Sequence, residues 1–127
     1  MTETNYLIIG SGVAGLTFAL KIADFFPEKT VTIVTKSTAD ESNTKYAQGG
    51  IAVVMDKIAD NFEKHIEDTL ICGDGLCDKN VVEIVVTEGP IRLQELIDWG
   101  AKFDINEEGN LDLGREGGHS INRVVHH

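Results

Sequence analysis

No apolar run in this chain approaches the roughly 20 residues that a membrane-spanning helix needs. Basic residues are scarce: 11 Lys and Arg stand against 21 Asp and Glu, a net charge of −10. Such a surface repels phosphate backbones, which argues against a nucleic-acid partner and disfavours an anionic membrane. The opening residues, MTETNY, are polar and include an acid, so no secretory leader is expected. Only two cysteines occur, Cys72 and Cys77, and they read as reduced thiols of a cytoplasmic protein. A metal site would need two further ligands beside them, and the spacing offers none. There is no internal repeat and no low-complexity tract. What remains, 42% hydrophobic over 127 residues, suffices for one modest domain or part of a larger one.

The organising stretch is NYLIIGSGVAG, Asn5 to Gly15. Tyr6 to Ile9 is an apolar run of the right length for one buried strand. Gly10, Gly12 and Gly15 follow at G-x-G-x-x-G spacing, and LTFALKIADFF predicts a helix over Leu16 to Phe26. Strand, glycine turn and helix in that order are the context a dinucleotide cradle requires. Gly10 permits the tight turn, Gly12 lets a pyrophosphate approach the backbone, and Gly15 lets helix and strand pack closely. Free N–H groups at the helix start then face the phosphates, aided by the helix dipole. Ser11 offers a hydroxyl beside them.

Thr30 to Thr35, TVTIVT, predicts a second strand and completes a βαβ unit. In an NAD-binding fold this strand ends in an acid that holds the ribose. Here Thr35 and Lys36 stand there instead, which argues against a pyridine-nucleotide dehydrogenase. Lys36 is placed either to reach a phosphate or adenosine group or to sit in solvent. SNTKYAQGGIAVV, Ser42 to Val54, predicts a loop running into a strand, with Gly49 and Gly50 allowing close backbone approach.

GSGVAG together with SNTKYAQGGIA resembles the FAD-binding half of the succinate dehydrogenase and fumarate reductase flavoprotein superfamily, which includes the L-aspartate oxidases. In that superfamily the second strand commonly ends in a Ser/Thr-Lys pair, as it does here. The resemblance implies FAD contacts from Gly10, Ser11, Gly12, Val13, Ala14, Gly15, Lys36, Asn43, Thr44, Lys45, Tyr46, Ala47, Gln48, Gly49 and Gly50. Members of the membrane complexes bind flavin covalently through a histidine of this loop. Asn43 occupies that position, so the resemblance implies noncovalent FAD.

Further along, Asp60 is expected to cap a helix with Glu63 reaching back, as DNFE has capping-box form. His65 in that helix reads as exposed or partly packed. Gly73 to Gly75 should end it and Asp78 cap the next, whose apolar face is Val81, Val82, Val85 and Val86. Gly89-Pro90 should break that helix, Gly100 should follow a helix C-terminus, and Trp99 reads as core. Ala101 to Leu113 predicts a short hairpin around Gly109, and Ser120 is expected to cap a helical INRVVHH.

LGREGGHSINRVVH, Leu113 to His126, gathers a cation, an anion and an imidazole between glycines, which suits either a polar small-molecule site or a surface loop. Its REGGHSxxRxxH pattern closely resembles the L-aspartate oxidase branch. That resemblance implies that Glu116 orients the substrate, since aspartate differs from succinate by one ammonium group that a carboxylate would pair. His119 and Arg123 match the pattern too, in either substrate-side bonding or bracing of the loop.

The fold expected is α/β, a Rossmann-like FAD-binding βαβ portion with additional helices and a short hairpin. The resemblance makes residues 1–127 the N-terminal part of an FAD-binding domain, without its capping and C-terminal helical domains. It implies a flavin-dependent oxidation of L-aspartate to iminoaspartate, with oxygen or fumarate as acceptor and hand-off to quinolinate synthase, in the cytoplasm. The proton-transferring arginine is expected beyond residue 127, so no catalytic residue is assigned here. Two rival readings remain: a soluble succinate- or fumarate-type flavoprotein, and a non-catalytic nucleotide-binding fragment.

Overall fold

The computed structural model describes residues 3–38, 40–47 and 49–127. Two compact units divide after residue 48.

The first unit is a βαβ unit. Strand β1 (Tyr6–Ile9), helix α1 (Val13–Phe25) and strand β2 (Val31–Val34) follow one another. β1 and β2 pair in parallel, with Tyr6 opposite Val31 and Ile9 opposite Val34. Tyr6 anchors the helix to the sheet by an edge contact to Phe18 and a stacked one to Phe26, both at 6.4 Å between centroids. Asn5 and Thr30 close the far end, exchanging backbone and side-chain hydrogen bonds of 3.0 Å. The expectation of a fully buried first strand is corrected. Ile8 is buried at 7%, while Leu7 and Ile9 are 59% and 85% exposed. Strand side chains alternate between faces, and α1 packs against only one face of this two-stranded sheet.

The second unit joins a three-stranded antiparallel sheet to a helix pair. Strand β3 (Ile51–Ala52), helix α2 (Phe62–Cys72), helix α3 (Lys79–Asp98), strand β4 (Leu113–Gly114) and strand β5 (Val124–Val125) occur in that order. The sheet order is β3-β5-β4, so β5 is central. Val53, Leu93 and Val125 form the core, with Met55, Ile97, Phe103, Leu111 and Leu113 packed on it.

Several helix-end expectations change. Asn61, rather than Asp60, is the N-cap of α2, its side chain accepting from the Lys64 N–H at 2.9 Å. Asp60 is drawn instead into a buried ion pair with Arg123. Asp78 caps α3 as expected, accepting from the Asn80 and Val81 N–H groups. Gly89-Pro90 does not break α3, which runs unbroken from Lys79 to Asp98. Leu93 beyond the proline is 1% exposed and Val86 before it is 3%, so burial on both sides holds the helix through its missing hydrogen bond. Gly89 fits there because a Cβ would lie 3.3 Å from Val53. The apolar face of α3 is Val82, Val86 and Leu93; Val81 and Val85 are exposed. Trp99, expected in the core, is 44% exposed at the helix end, where Gly100 turns the chain with φ +98°.

The hairpin after Gly100 shrinks to a single bridge between Ile105 and Leu111 around Gly109. The expected C-terminal helix is absent. Val124 and Val125 form the central strand, 1% and 0% exposed, because two β-branched residues flanked by partners on both sides bury best in a sheet.

Candidate functional site

In the first unit, the glycine turn opens a cleft of about 640 Å³ at the carboxyl ends of β1 and β2. Its wall consists of Ile9 to Gly12, Val34 to Lys36 and Glu41 to Thr44. Two local facts make the turn. Gly10 adopts φ +104°, which a side chain would resist, and its N–H donates to the Val34 carbonyl at 2.8 Å. A Cβ on Gly15 would lie 2.3 Å from the Gly10 oxygen and 3.2 Å from Ile8, so only glycine lets α1 sit this close to the strand.

Gly12 is the N-cap of α1, and no side chain of its own satisfies the first helical N–H groups. A Cβ there would meet nothing nearer than Thr44 Oγ1 at 3.9 Å, so its bareness is not required by packing and leaves the helix start accessible. The Val13 N–H donates to Thr44 Oγ1 at 3.1 Å. Thr44 therefore stands at the helix N-terminus, the kind of position whose N–H groups can also receive an anion. Ser11 is 4% exposed and its hydroxyl donates to Thr35 Oγ1 at 3.2 Å, so this hydroxyl ties the two strand ends together.

Of the residues expected around a cofactor, Gly10, Ser11, Gly12, Lys36, Asn43 and Thr44 line this one cleft. Val13, Ala14 and Gly15 continue from it into α1. Lys45 and Tyr46 lie beside it in the same loop, where Lys45 pairs with Asp40 and the Tyr46 hydroxyl donates to Glu41 at 2.8 Å. That bond to an anion raises the Tyr46 hydroxyl above its ordinary pKa, and Lys45 lowers the Asp40 carboxyl. Ala47 is exposed at the end of the loop. Gln48 lies outside the described residues. Gly49 and Gly50 belong to the second unit, where Gly50 has a packing role: a Cβ would fall 2.2 Å from Val124 and 2.4 Å from the Val125 oxygen.

The second unit holds the other expected group. Arg123 is 0% exposed, and its guanidinium donates to both Asp60 oxygens, to Asp68 at 2.5 Å and to His119 Nδ1 at 3.2 Å. Donation from Arg123 requires Nδ1 of His119 to be the unprotonated ring nitrogen. Asp68 also accepts from the Ser120 N–H and hydroxyl, both at 2.8 Å. Arg123 thus braces the glycine loop, the second of the two roles left open for it. Cys72 meets the same loop, and a Cβ on Gly118 would lie 2.4 Å from its sulfur.

The ionisations follow from this network. Burial works to raise the Asp68 carboxyl, but the Ser120 N–H, the Arg123 guanidinium and the Ser120 hydroxyl bring it down to about 2. Burial opposes ionisation of Asp60 as well, and bonds from Arg123 and the Asn61 N–H overcome it. Arg123 is correspondingly raised against its own burial. His65, expected to be exposed or partly packed, is 6% exposed and its Nδ1 finds no hydrogen-bond partner. Its ring meets that of His119 edge-on at 5.6 Å. Burial, then the charge of Arg123, holds His65 below its ordinary pKa.

Glu116 is exposed, and its carboxylate accepts from His126 Nε2 at 2.8 Å. Among the described residues no cluster of three metal-ligating side chains occurs. Sequence reasoning missed Asp60 and Asp68 as the partners of Arg123. They lie 63 and 55 residues from it, beyond any local periodicity.

The FAD binding domain family matches residues 5–127. L-aspartate oxidase 2-b, chloroplastic, of Nicotiana tabacum is 51% identical over 122 residues, covering 96% of this chain and 18% of that protein. L-aspartate oxidase of Bacillus subtilis is 44% identical, covering 99% of this chain and 23% of that protein. Among solved structures, an E. coli quinol fumarate reductase FrdA mutant aligns with a TM-score of 0.87 at 32% identity, over 98% of this chain and 21% of that one. The chain therefore spans about a fifth of the length of the relatives it matches.

Proposed function

The chain belongs to the FAD-binding-domain family, and from that premise we propose that it forms the N-terminal part of the FAD-binding domain of an L-aspartate oxidase. FAD is the cofactor. The cleft of the first unit fits its diphosphate: a backbone turn open at Gly12, a helix start whose Val13 N–H meets only the Thr44 hydroxyl, and Lys36 and Thr44 at the rim. These residues would hold the diphosphate, and Asn43 and Ser42 offer polar groups to what adjoins it. Asn43 cannot form the covalent bond that a histidine makes, so acid or heat should release the flavin.

Bound FAD supplies the two-electron oxidation of Cα that turns L-aspartate into iminoaspartate. This chain's own contribution is to bind and to discriminate. Glu116 pairs with the substrate ammonium, and His119 offers a hydrogen bond from the same loop. Arg123 and Asp68 hold that loop at His119 and Ser120, so little ordering remains to be done there when substrate arrives. Oxygen or fumarate takes up the electrons, and iminoaspartate passes to quinolinate synthase. The compartment proposed is the cytoplasm; the plant relatives are named as chloroplastic. No helix of the described residues is long and apolar enough to cross a membrane.

The observation that carries the reading is a carboxylate, Glu116, in the glycine loop of a chain 51% and 44% identical to relatives named as L-aspartate oxidases. The test is Glu116→Gln in the full-length protein. Its KM for L-aspartate should rise about tenfold or more, with flavin content unchanged. An unchanged KM would remove Glu116 from substrate recognition. Efficient oxidation of succinate, with aspartate inert, would favour the fumarate-reductase-type reading, which the 32% identity to the E. coli FrdA mutant keeps in view.

A further inference from the structure

His126 stands on an unusual piece of sheet. It follows Val125, the last residue of the central strand β5. Glycines flank its ring on both neighbouring strands. A Cβ on Gly50, just before β3, would lie 3.1 Å from His126 Cδ2. A Cβ on Gly114, the last residue of β4, would lie 3.0 Å from His126 Cε1. The two bare backbones therefore leave room for the flat ring between them, and side chains at either position would press into it. The slot fixes the direction of the ring. Nε2 emerges from it and meets Glu116 Oε1 at 2.8 Å.

A carboxylate only accepts, so Nε2 carries the proton and the neutral ring suffices for this bond. One Glu116 oxygen is then engaged and the other is left for a second donor. The glycines that neighbour Glu116 in sequence give its loop little stiffness of its own, since Gly117 and Gly118 follow directly. We propose that His126 is a positioning residue for amine selectivity: it aims the Glu116 carboxylate at the ammonium of an amino-dicarboxylate. The proposal rests on the assignment of Glu116 to that ammonium.

The prediction concerns binding of the amine and not of the two carboxylates. In the full-length flavoprotein, His126→Phe keeps a flat ring in the slot and removes the donor. It should raise KM for L-aspartate about tenfold, the loss of one hydrogen bond to a charged group, with kcat within twofold. His126→Gln places an amide N–H near the position of Nε2 and should keep KM within threefold of the parent. Inhibition by succinate, which has no ammonium, should stay within twofold in both. His126→Phe added to Glu116→Gln should cause no further loss, because the two act through one contact.

Should His126→Phe fail to retain flavin, His126→Asn gives the same answer, since its amide is too short to reach Glu116. If Glu116→Gln raises KM while neither His126→Phe nor His126→Asn does, the positioning role is overturned and the Glu116 assignment stands. If succinate inhibition weakens in step with aspartate binding, His126 is merely structural and the proposal fails. If Glu116→Gln itself leaves KM unchanged, the assignment beneath the proposal has failed.

Discussion

Arg123 donates from Nε and Nη2 to the two oxygens of Asp60, at 2.8 and 2.9 Å, with the side chains 0% and 1% exposed. Two parallel bonds between planar groups fix orientation as well as distance. The backbone of the same arginine closes the sheet: its carbonyl accepts from Val53 N–H at 2.8 Å, and its N–H donates to Gly114 at 3.0 Å. One residue thus joins the strands, the start of α2 and the glycine loop.

Removing one member of this pair leaves a buried charge without its partner. Arg123→Ala should lower stability by about 3–5 kcal/mol, measured by urea denaturation. Replacing the bidentate pair at once, Arg123→Met with Asp60→Leu, should cost markedly less, since Asp68 keeps its two Ser120 donors. Equal losses from the single and double variants would mean that packing, and not the charge pair, sets the effect.

The acid limb of stability has two parts. Asp68 is depressed to about 2, so the stability it contributes is complete above the unfolded carboxyl value of 3.8 and is lost as pH falls through about 2. His65 is also depressed. The unfolded chain therefore binds its proton first, so His65 costs nothing above 6.5 and destabilises progressively as pH falls below it. His65→Gln should flatten the slope of melting temperature between about pH 5 and 6.5, while the Asp68 limb at lower pH persists. An unaltered slope would place the mid-range titration elsewhere.

The two glycines of the cradle should separate folding from binding. Gly15→Ala forces a Cβ to 2.3 Å from the Gly10 oxygen and should destabilise the first unit by about 1–3 kcal/mol. Gly12→Ala meets nothing within 3.9 Å and should leave circular dichroism unchanged. It should still weaken FAD binding by roughly ten- to hundredfold, because a methyl group blocks phosphate approach to the helix start. Unchanged flavin content in Gly12→Ala would move the diphosphate away from this turn.

Pro90 offers a check on the helix reading. With α3 continuous, Pro90→Ala restores one helical hydrogen bond and relieves the ring clash. A gain of about 1–2 kcal/mol is expected, reduced by the greater freedom of the unfolded chain. A loss would show that the proline ring packs productively.

What was legible in the sequence was local. The β1–turn–α1–β2 order follows from Tyr6 to Ile9, the three glycines and TVTIVT, each a signal within a few residues. Asp78 and Gly100 were equally readable, because caps act on adjacent backbone. The rest depended on distant partners. Asp60 looked like a cap until Arg123, 63 residues away, claimed its carboxylate. Pro90 looked like a break until buried Val86 and Leu93 held both sides. INRVVHH looked helical, yet neighbouring strands on both sides of Val124 and Val125 decide for a strand. At the site, Glu116 was marked by resemblance, whereas its contact with His126 emerges only from the sheet.

The most direct measurement is the absorption spectrum of the full-length protein, taken anaerobically before and after substrate. A noncovalent flavin band that bleaches on addition of L-aspartate and persists with succinate is the predicted result. A protein without a flavin band, or one whose flavin is bleached by succinate while aspartate has no effect, would contradict it.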